Sequence, residues 1–353
     1  MGSGTGVTAH TTDTARLRMH WVESGPQDGE LVVLVHGNMS TGRFFEHLLP
    51  LVPDRYRVLA PDMRGFGRTE HRPIDATRGL RDWSDDLRSL LEALGLTGRP
   101  AHLLGWSTGG AAISAYAVDH GEVASLTYVD PVSPYGFGGV RADGSPCFAD
   151  WAGSGGGVGS ADFAAAVRDG DRGTDSPFSP RNVMRSSYWS PDHTVPAELE
   201  DLLVDEVCLT LTGDDGYPGD STPSENWPGV APGTRGILNA LSPKYCSWTD
   251  IVDLEVKPPV LWTHGGADVV IADASAWDMA TLGAAGVVPG WPGPEVVPSQ
   301  PMVSQIREVL DRYAAAGGTV RAETFEGSGH APFIDATKEW ASLWLAFLDS
   351  AGR

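Results

Sequence analysis

The chain turns on Leu103-Leu104-Gly105-Trp106-Ser107-Thr108-Gly109-Gly110, where an apolar segment from Ala101 gives way to small residues running on to His120. This pattern predicts a strand, an abrupt turn and a helix. A turn that sharp forces its central residue into strained backbone, and flanking glycines give the chain room to make it. The Ser107 hydroxyl is then held clear of the backbone, above the positive end of a helix. Alone, Gly-x-Ser-x-Gly is weak: among 44 glycines, roughly a few tenths of a match arises by accident. The flanking strand and helix carry the claim, and the pattern occurs once. The competing reading of Ser107 is an ordinary helix N-cap, where serine is favoured.

A serine hydroxyl attacks only when a base takes its proton and a third group orients that base. Pro258 to His264 reads as a buried strand running into Gly265-Gly266-Ala267-Asp268. Thr319 to Phe325 reads as another, followed by Gly327-Ser328-Gly329-His330-Ala331-Pro332-Phe333. Both candidates lie on glycine-containing loops just past a strand, where open α/β sheets gather functional groups. His330 is therefore the candidate base and Asp268 the candidate orienting acid. Upstream, Glu30 to His36 reads as a strand ending in His36-Gly37-Asn38-Met39-Ser40. An acyl-transfer intermediate needs N–H donors for its developing negative charge. The backbone N–H groups of Thr108 and Asn38 are the candidates for this oxyanion hole, with Met39 as the alternative to Asn38.

With these residues in place, the sequence resembles the α/β-hydrolase superfamily, in the branch of small esterases, cofactor-free haloperoxidase-like enzymes, epoxide hydrolases and carbon–carbon bond hydrolases. His36-Gly37 is similar to the family's oxyanion loop. Pro61-Asp62-Met63-Arg64-Gly65-Phe66-Gly67-Arg68 is similar to its Asp-x-Arg-Gly-x-Gly segment, and Gly105 to Gly110 to the elbow of its serine members. The resemblance implies the α/β-hydrolase fold, its core split into 1–134 and 256–353 around a cap inserted at 135–255. It also implies a triad in the chain order Ser107, Asp268, His330. Some members carry the acid after the preceding strand, which makes Asp130 in Tyr128-Val129-Asp130-Pro131 a rival; Asp268 is favoured. Two features depart from the dehalogenase and epoxide hydrolase branches. Those enzymes use an aspartate nucleophile where this chain has Ser107, and their first loop carries a proline after His-Gly-x that is missing here. Their chemistry is not expected. His36 is expected to order its loop, Asp62 and Arg64 to tie loops together, and His264 to be structural or part of a pocket wall.

Composition agrees. A chain of 353 residues, 41% apolar, can bury an α/β core and a large insertion. Strands alternating with helices, among them Thr41 to Leu51 and Leu80 to Leu94, imply a mostly parallel sheet covered on both faces. No apolar run of membrane-spanning length occurs, and Met1 to Val7 has neither the basic start nor the apolar stretch of a leader. Cys147, Cys208 and Cys246 are odd in number and suit a reducing cytoplasm, with one bridge inside the insertion as the alternative. A net charge of −21 argues against nucleic acid or an anionic membrane as partner. The expectation is a cytoplasmic monomer or homodimer using neither metal nor cofactor.

The alternation breaks near Pro134 and resumes near Val256. Within this interval the run Gly153 to Gly157 reads as a flexible gate, and the later stretch Gly283 to Pro301 as packing against the cap. Trp106, Tyr188, Trp189 and Trp248 are the candidate pocket walls. The reaction expected is hydrolysis of a neutral, mainly apolar carboxylic ester or lactone through an acyl-enzyme. A carbon–carbon bond hydrolase with the same triad, or a ligand receptor with little turnover, are the alternatives.

Overall fold

In the computed structural model, which describes residues 6–352, the apolar runs become the middle of one sheet; most of the stretch read for a leader, Met1 to Thr5, lies outside the described residues. Six strands come first: β1 (Thr8–Asp13), β2 (Arg18–Ser24), β3 (Glu30–Val35), β4 (Tyr56–Pro61), β5 (Ala101–Trp106) and β6 (Val123–Val129). Four short ones lie in the insertion, β7 (Thr212–Gly213), β8 (Tyr217–Pro218), β9 (Ser221–Pro223) and β10 (Val230–Pro232), and pair off in two small sheets. β11 (Val260–Gly265) and β12 (Val320–Phe325) then complete the main sheet, whose order is β1-β2-β4-β3-β5-β6-β11-β12. β1 and β2 are antiparallel to their neighbours and the rest run parallel. This is the α/β-hydrolase fold. β4 and β5 are buried along their whole length, which is why they read as continuous apolar runs and not as alternation. β1, Thr-Ala-His-Thr-Thr-Asp, is mostly exposed at the sheet edge and gave no apolar signal.

Helices α1 (Arg81–Ala93) and α2 (Thr108–Asp119) lie against one another. Trp83, Leu87, Leu90 and Leu91 form the buried face of α1, as their spacing predicts. The helix expected over Thr41 to Leu51 is instead a 3-10 helix, Gly42–Leu51. Pro50, inside it, supplies no N–H, which weakens the ladder at the end of the segment, and the Thr41 side chain caps its start by accepting the Arg43 N–H.

The insertion carries α3 (Ala161–Arg168), α4 (Pro180–Ser187), α5 (Ala197–Val207) and the short α6 (Ile237–Ala240). After β11 come α7 (Met279–Ala284), α8 (Met302–Ala315), α9 (Pro332–Asp335) and α10 (Thr337–Ala351). The glycine run differs from expectation. Gly153 to Gly156 are buried, Gly156 N–H donates to Asn239 Oδ1 at 2.8 Å, and a Cβ on Gly155 would meet that oxygen at 2.4 Å. These glycines serve close packing, not gating. The segment after α7 does pack on the insertion: Trp227 Nε1 donates to Pro289 O at 3.0 Å. All three cysteines are free thiols. Among the described residues no helix is long and apolar enough to cross a membrane.

The register Trp106↔Val129, Val129↔Thr263 and Gly265↔Phe325 brings the carboxyl ends of β5, β6, β11 and β12 to one edge of the sheet. The loops leaving that edge hold Ser107, Asp130, Asp268 and His330.

Candidate active site

Ser107 joins β5 to α2 at φ 54°, ψ −117°, the left-handed region that a residue with a Cβ enters only at a cost. Its N–H is anchored to Val129 O at 2.9 Å. Room for the turn comes from the flanking glycines: a Cβ on Gly105 would lie 2.3 Å from Gly109 O, and one on Gly109 would lie 2.3 Å from Val35 O. The Ser107 side chain makes no capping bond to α2, so the N-cap reading fails.

His330 follows β12 and is buried, with Nδ1 2.8 Å from Asp268 Oδ2. The other oxygen of Asp268 accepts the N–H groups of Val270 (2.7 Å) and Ile271 (3.1 Å), which fixes the carboxylate. Burial alone would lower the titration of the His330 ring; the charge and hydrogen bond of Asp268 outweigh it and hold the ring above its ordinary value. The loop is clamped from two sides. Trp106 Nε1 donates to His330 O at 2.7 Å. Asp335 Oδ2 accepts Gly329 N–H at 2.5 Å and, at 3.2 Å, the N–H of Ser190 from the insertion. Nδ1 being taken by Asp268, Nε2 is the free ring nitrogen. Ser107 and His330 line the same cavity, with no hydrogen bond between their side chains; catalytic contacts of this kind often tighten only as substrate binds.

The Gly37–Ser40 loop is shaped by His36. Its Nε2 accepts Met63 N–H at 2.9 Å, so Nδ1 carries the proton and donates to Gly37 O at 2.7 Å. Burial pushes this ring down to about 4, keeping it neutral. Met39 is held at φ 54°. Tyr188 donates to Asn38 O (3.1 Å) and lies 3.3 Å from Met39 O, so the insertion steadies the loop. The N–H groups of Asn38, Met39 and Thr108 have no acceptor among the described residues, and all three residues line the cavity. The loop thus offers both expected positions, Asn38 and Met39. Asp62 and Arg64 tie loops together as expected, Asp62 accepting Gly42 and Arg68 N–H groups and Arg64 gripping Asp86.

The cavity measures about 360 Å³ and its walls are mainly apolar, with Phe137, Phe163, Val183, Leu238 and Trp277 among them. Among the described residues no Asp, Glu, Lys or Arg lines it. Of the four aromatic residues expected there, only Tyr188 does. Trp106 lies beneath the His330 loop, Trp189 presses its backbone on Gly329, and Trp248 stacks on Tyr128 while donating to Val132 O. The N–H of Trp106 and of Trp248 reaches a buried carbonyl, which keeps the ring in the wall behind the cavity. Trp277 and Leu282 were missed; their signal was position, on the chain just after Asp268.

Asp130 ends β6 at φ 41° and is fully buried. Its Oδ1 accepts Gly265 N–H at 2.9 Å and lies 2.9 Å from His264 Nδ1, off the line of a good hydrogen bond. Its Oδ2 has no partner. Burial raises its carboxyl above the ordinary range, opposed by His264; the His264 ring, which burial would lower, is raised by Asp130. His264 is thus a partner of Asp130 and lies outside the cavity wall. A carboxylate oxygen of Asp130, one of Asp268 and a ring nitrogen of His330 lie within 4.8 Å of one another. Among the described residues this is the one acid–histidine group close enough to share a metal ion, and its Asp268–His330 pair is already engaged internally.

Comparison with known proteins gives a consistent result. The pattern of the Alpha/beta hydrolase family matches residues 32–343. The chain is 38% identical over 111 residues, 30% of its length and 36% of the relative's, to a cis-3-alkyl-4-alkyloxetan-2-one decarboxylase from Xanthomonas campestris pv. campestris. It is 39% identical over 90 residues, 23% of its length and 30% of the relative's, to a haloalkane dehalogenase from Mycobacterium marinum. These matches thus span about a third of each curated relative's length. An esterase from Exiguobacterium antarcticum shares the fold at a TM-score of 0.58 and 17% identity, with 97% of this chain and 100% of that one covered.

Proposed function

Since the chain belongs to the Alpha/beta hydrolase family, we propose that it is a serine hydrolase of neutral, mainly apolar carboxylic esters or lactones. One observation carries this reading: the elbow serine and the carboxylate-backed imidazole of His330 open onto a single apolar cavity without a charged wall residue. His330 Nε2 takes the Ser107 proton as Oγ attacks the carbonyl carbon. Asp268 keeps the other proton on Nδ1 and stabilises the imidazolium. The N–H of Thr108, with that of Asn38 or Met39, receives the oxyanion. Collapse expels the alcohol, which takes its proton from His330. A water deprotonated by His330 then attacks the acyl carbon, releasing the acid and restoring Ser107. These steps call for neither metal nor cofactor.

The insertion is read as a cap: its Phe163, Val183 and Tyr188 face the same cavity as Ser107, so it excludes water and selects substrate. The volume sits at the low end of small-molecule sites and suits medium acyl or alcohol groups. The test is release of p-nitrophenol from neutral esters of graded chain length, together with fluorophosphonate labelling. Turnover and labelling lost in Ser107→Ala are expected; turnover that survives this change rules the reading out.

A further inference from the structure

The Asp130–His264 pair behind the triad is not used by the mechanism above, yet it is built at a cost. Asp130 is a non-glycine residue at positive φ, and its buried Oδ2 has no donor. Strain and an unsatisfied buried acceptor persist only where the surroundings enforce them, and they gather at functional sites. We infer that Asp130 is a second acid for His330: it stands beside Asp268 behind the ring and takes over the orientation of Nδ1–H when Asp268 is absent. This rests on the reading of Ser107 and His330 as nucleophile and base.

Three observations support it. One carboxylate oxygen each of Asp130 and Asp268 and a ring nitrogen of His330 lie within 4.8 Å of one another, so Asp130 stands within about 2 Å of hydrogen-bond distance of the imidazole. The unpartnered Oδ2 is free to accept, because Gly265 N–H occupies only Oδ1. Two bare carboxylates this close and this buried would repel, and His264, its ring nitrogen 2.9 Å from Asp130 and its side chain 14% exposed, supplies the compensating proton. Asp130 is therefore kept next to Asp268 without displacing it.

The alternative is that Asp130 is only a brace, joining β6 to β11 through its N–H to Thr263 O and its bond from Gly265 N–H. Steady-state kinetics on a p-nitrophenyl ester separate the two. Without a second acid, removing the triad aspartate from a serine hydrolase costs about 10⁴-fold in kcat. Here Asp268→Ala is expected to fall by no more than about 100-fold in kcat with KM little changed, and Asp130→Asn alone by less than about 10-fold. The double variant Asp268→Ala/Asp130→Asn is expected to drop to the level of His330→Ala, far below the product of the single effects. A brace predicts the same Asp130→Asn factor in both backgrounds, and that result overturns the proposal. Because Asp268 also accepts two loop N–H groups, Asp268→Ser, whose hydroxyl can accept them, is measured alongside. If Asp268→Ala and Asp268→Ser are both as inactive as His330→Ala, the proposal fails. Ser107→Ala in the same assay keeps the readings apart: full turnover there removes the hydrolase reading itself, whereas its loss beside an inactive Asp268→Ala removes only the second acid.

Discussion

His330 and His36 show how one side-chain type is given opposite tasks by its surroundings. Both rings are buried. His36 meets a backbone N–H and a carbonyl, so burial prevails and the ring stays neutral. His330 meets the Asp268 carboxylate, which outweighs burial and raises the ring above its ordinary value. The consequence for rate follows directly. The base we propose must be unprotonated to act, so kcat/KM for a neutral ester should climb with pH, its acid limb centred above the ordinary imidazole value of about 6.5. For stability the sign is opposite. A ring whose folded value is raised holds its proton longer in the folded state. Its contribution is therefore full below the unfolded value and fades as pH rises through the folded one. An acid limb at or below the ordinary value would mean that the His330–Asp268 contact is not present in solution.

At the scale of elements, the insertion is joined to the core by a buried carboxylate. Glu206 on α5 is fully buried and accepts from Thr41 Oγ1 (2.8 Å), Arg68 Nη1 (2.8 Å) and Arg43 Nη1 (3.2 Å). Thr41 directly follows the Gly37–Ser40 loop, so α5 holds the segment that presents the Asn38 and Met39 N–H groups. Glu206→Gln takes from Arg68 its paired carboxylate and leaves Arg43 with Glu46 alone. Loss of one partner of a wholly buried pair costs about 3–5 kcal/mol; both arginines reach water here, so about 2–3 kcal/mol is expected. A lower urea midpoint at unchanged slope would register it, and a midpoint within error of the parent would show that solvent replaces the bond. None of this was legible in the sequence, since Glu206 is one acid among many and its partners are over a hundred residues away. The elbow and the two later loops were legible because each sets one polar residue in a glycine-containing turn just past a strand, a signal local to the chain. The cavity walls were not, because which aromatic ring faces the void depends on which carbonyl its N–H reaches, as at Trp106 and Trp248. The glycine run misled for a related reason: close packing and flexibility both favour glycine, and only the neighbours of Gly155 tell them apart.

The whole molecule adds a field that no single residue reveals. The chain carries 46 acidic against 25 basic residues, a net charge of −21, while the cavity beside Ser107 has no charged wall residue apart from the titratable His330. An approaching anion therefore meets repulsion outside and no compensating cation inside, whereas a neutral ester is indifferent to both. The two substrate classes should separate by salt. At low ionic strength, about 0.01 M, the screening length is about 30 Å and the field spans the entrance; at about 1 M it shrinks to about 3 Å. For a pair of esters differing only in a terminal carboxylate or its methyl ester, kcat/KM for the neutral member should change little across that range. The anionic member should start lower at low salt and gain as salt is added, mainly through KM, because the barrier lies in the encounter and not in the chemical step. A deficit that salt leaves untouched would point instead to the apolar walls, where burying a carboxylate without a partner is costly in any electrolyte. A preference for the anionic ester at low salt would require a cation near Ser107 that this cavity does not contain, and would refute the assignment of neutral substrates.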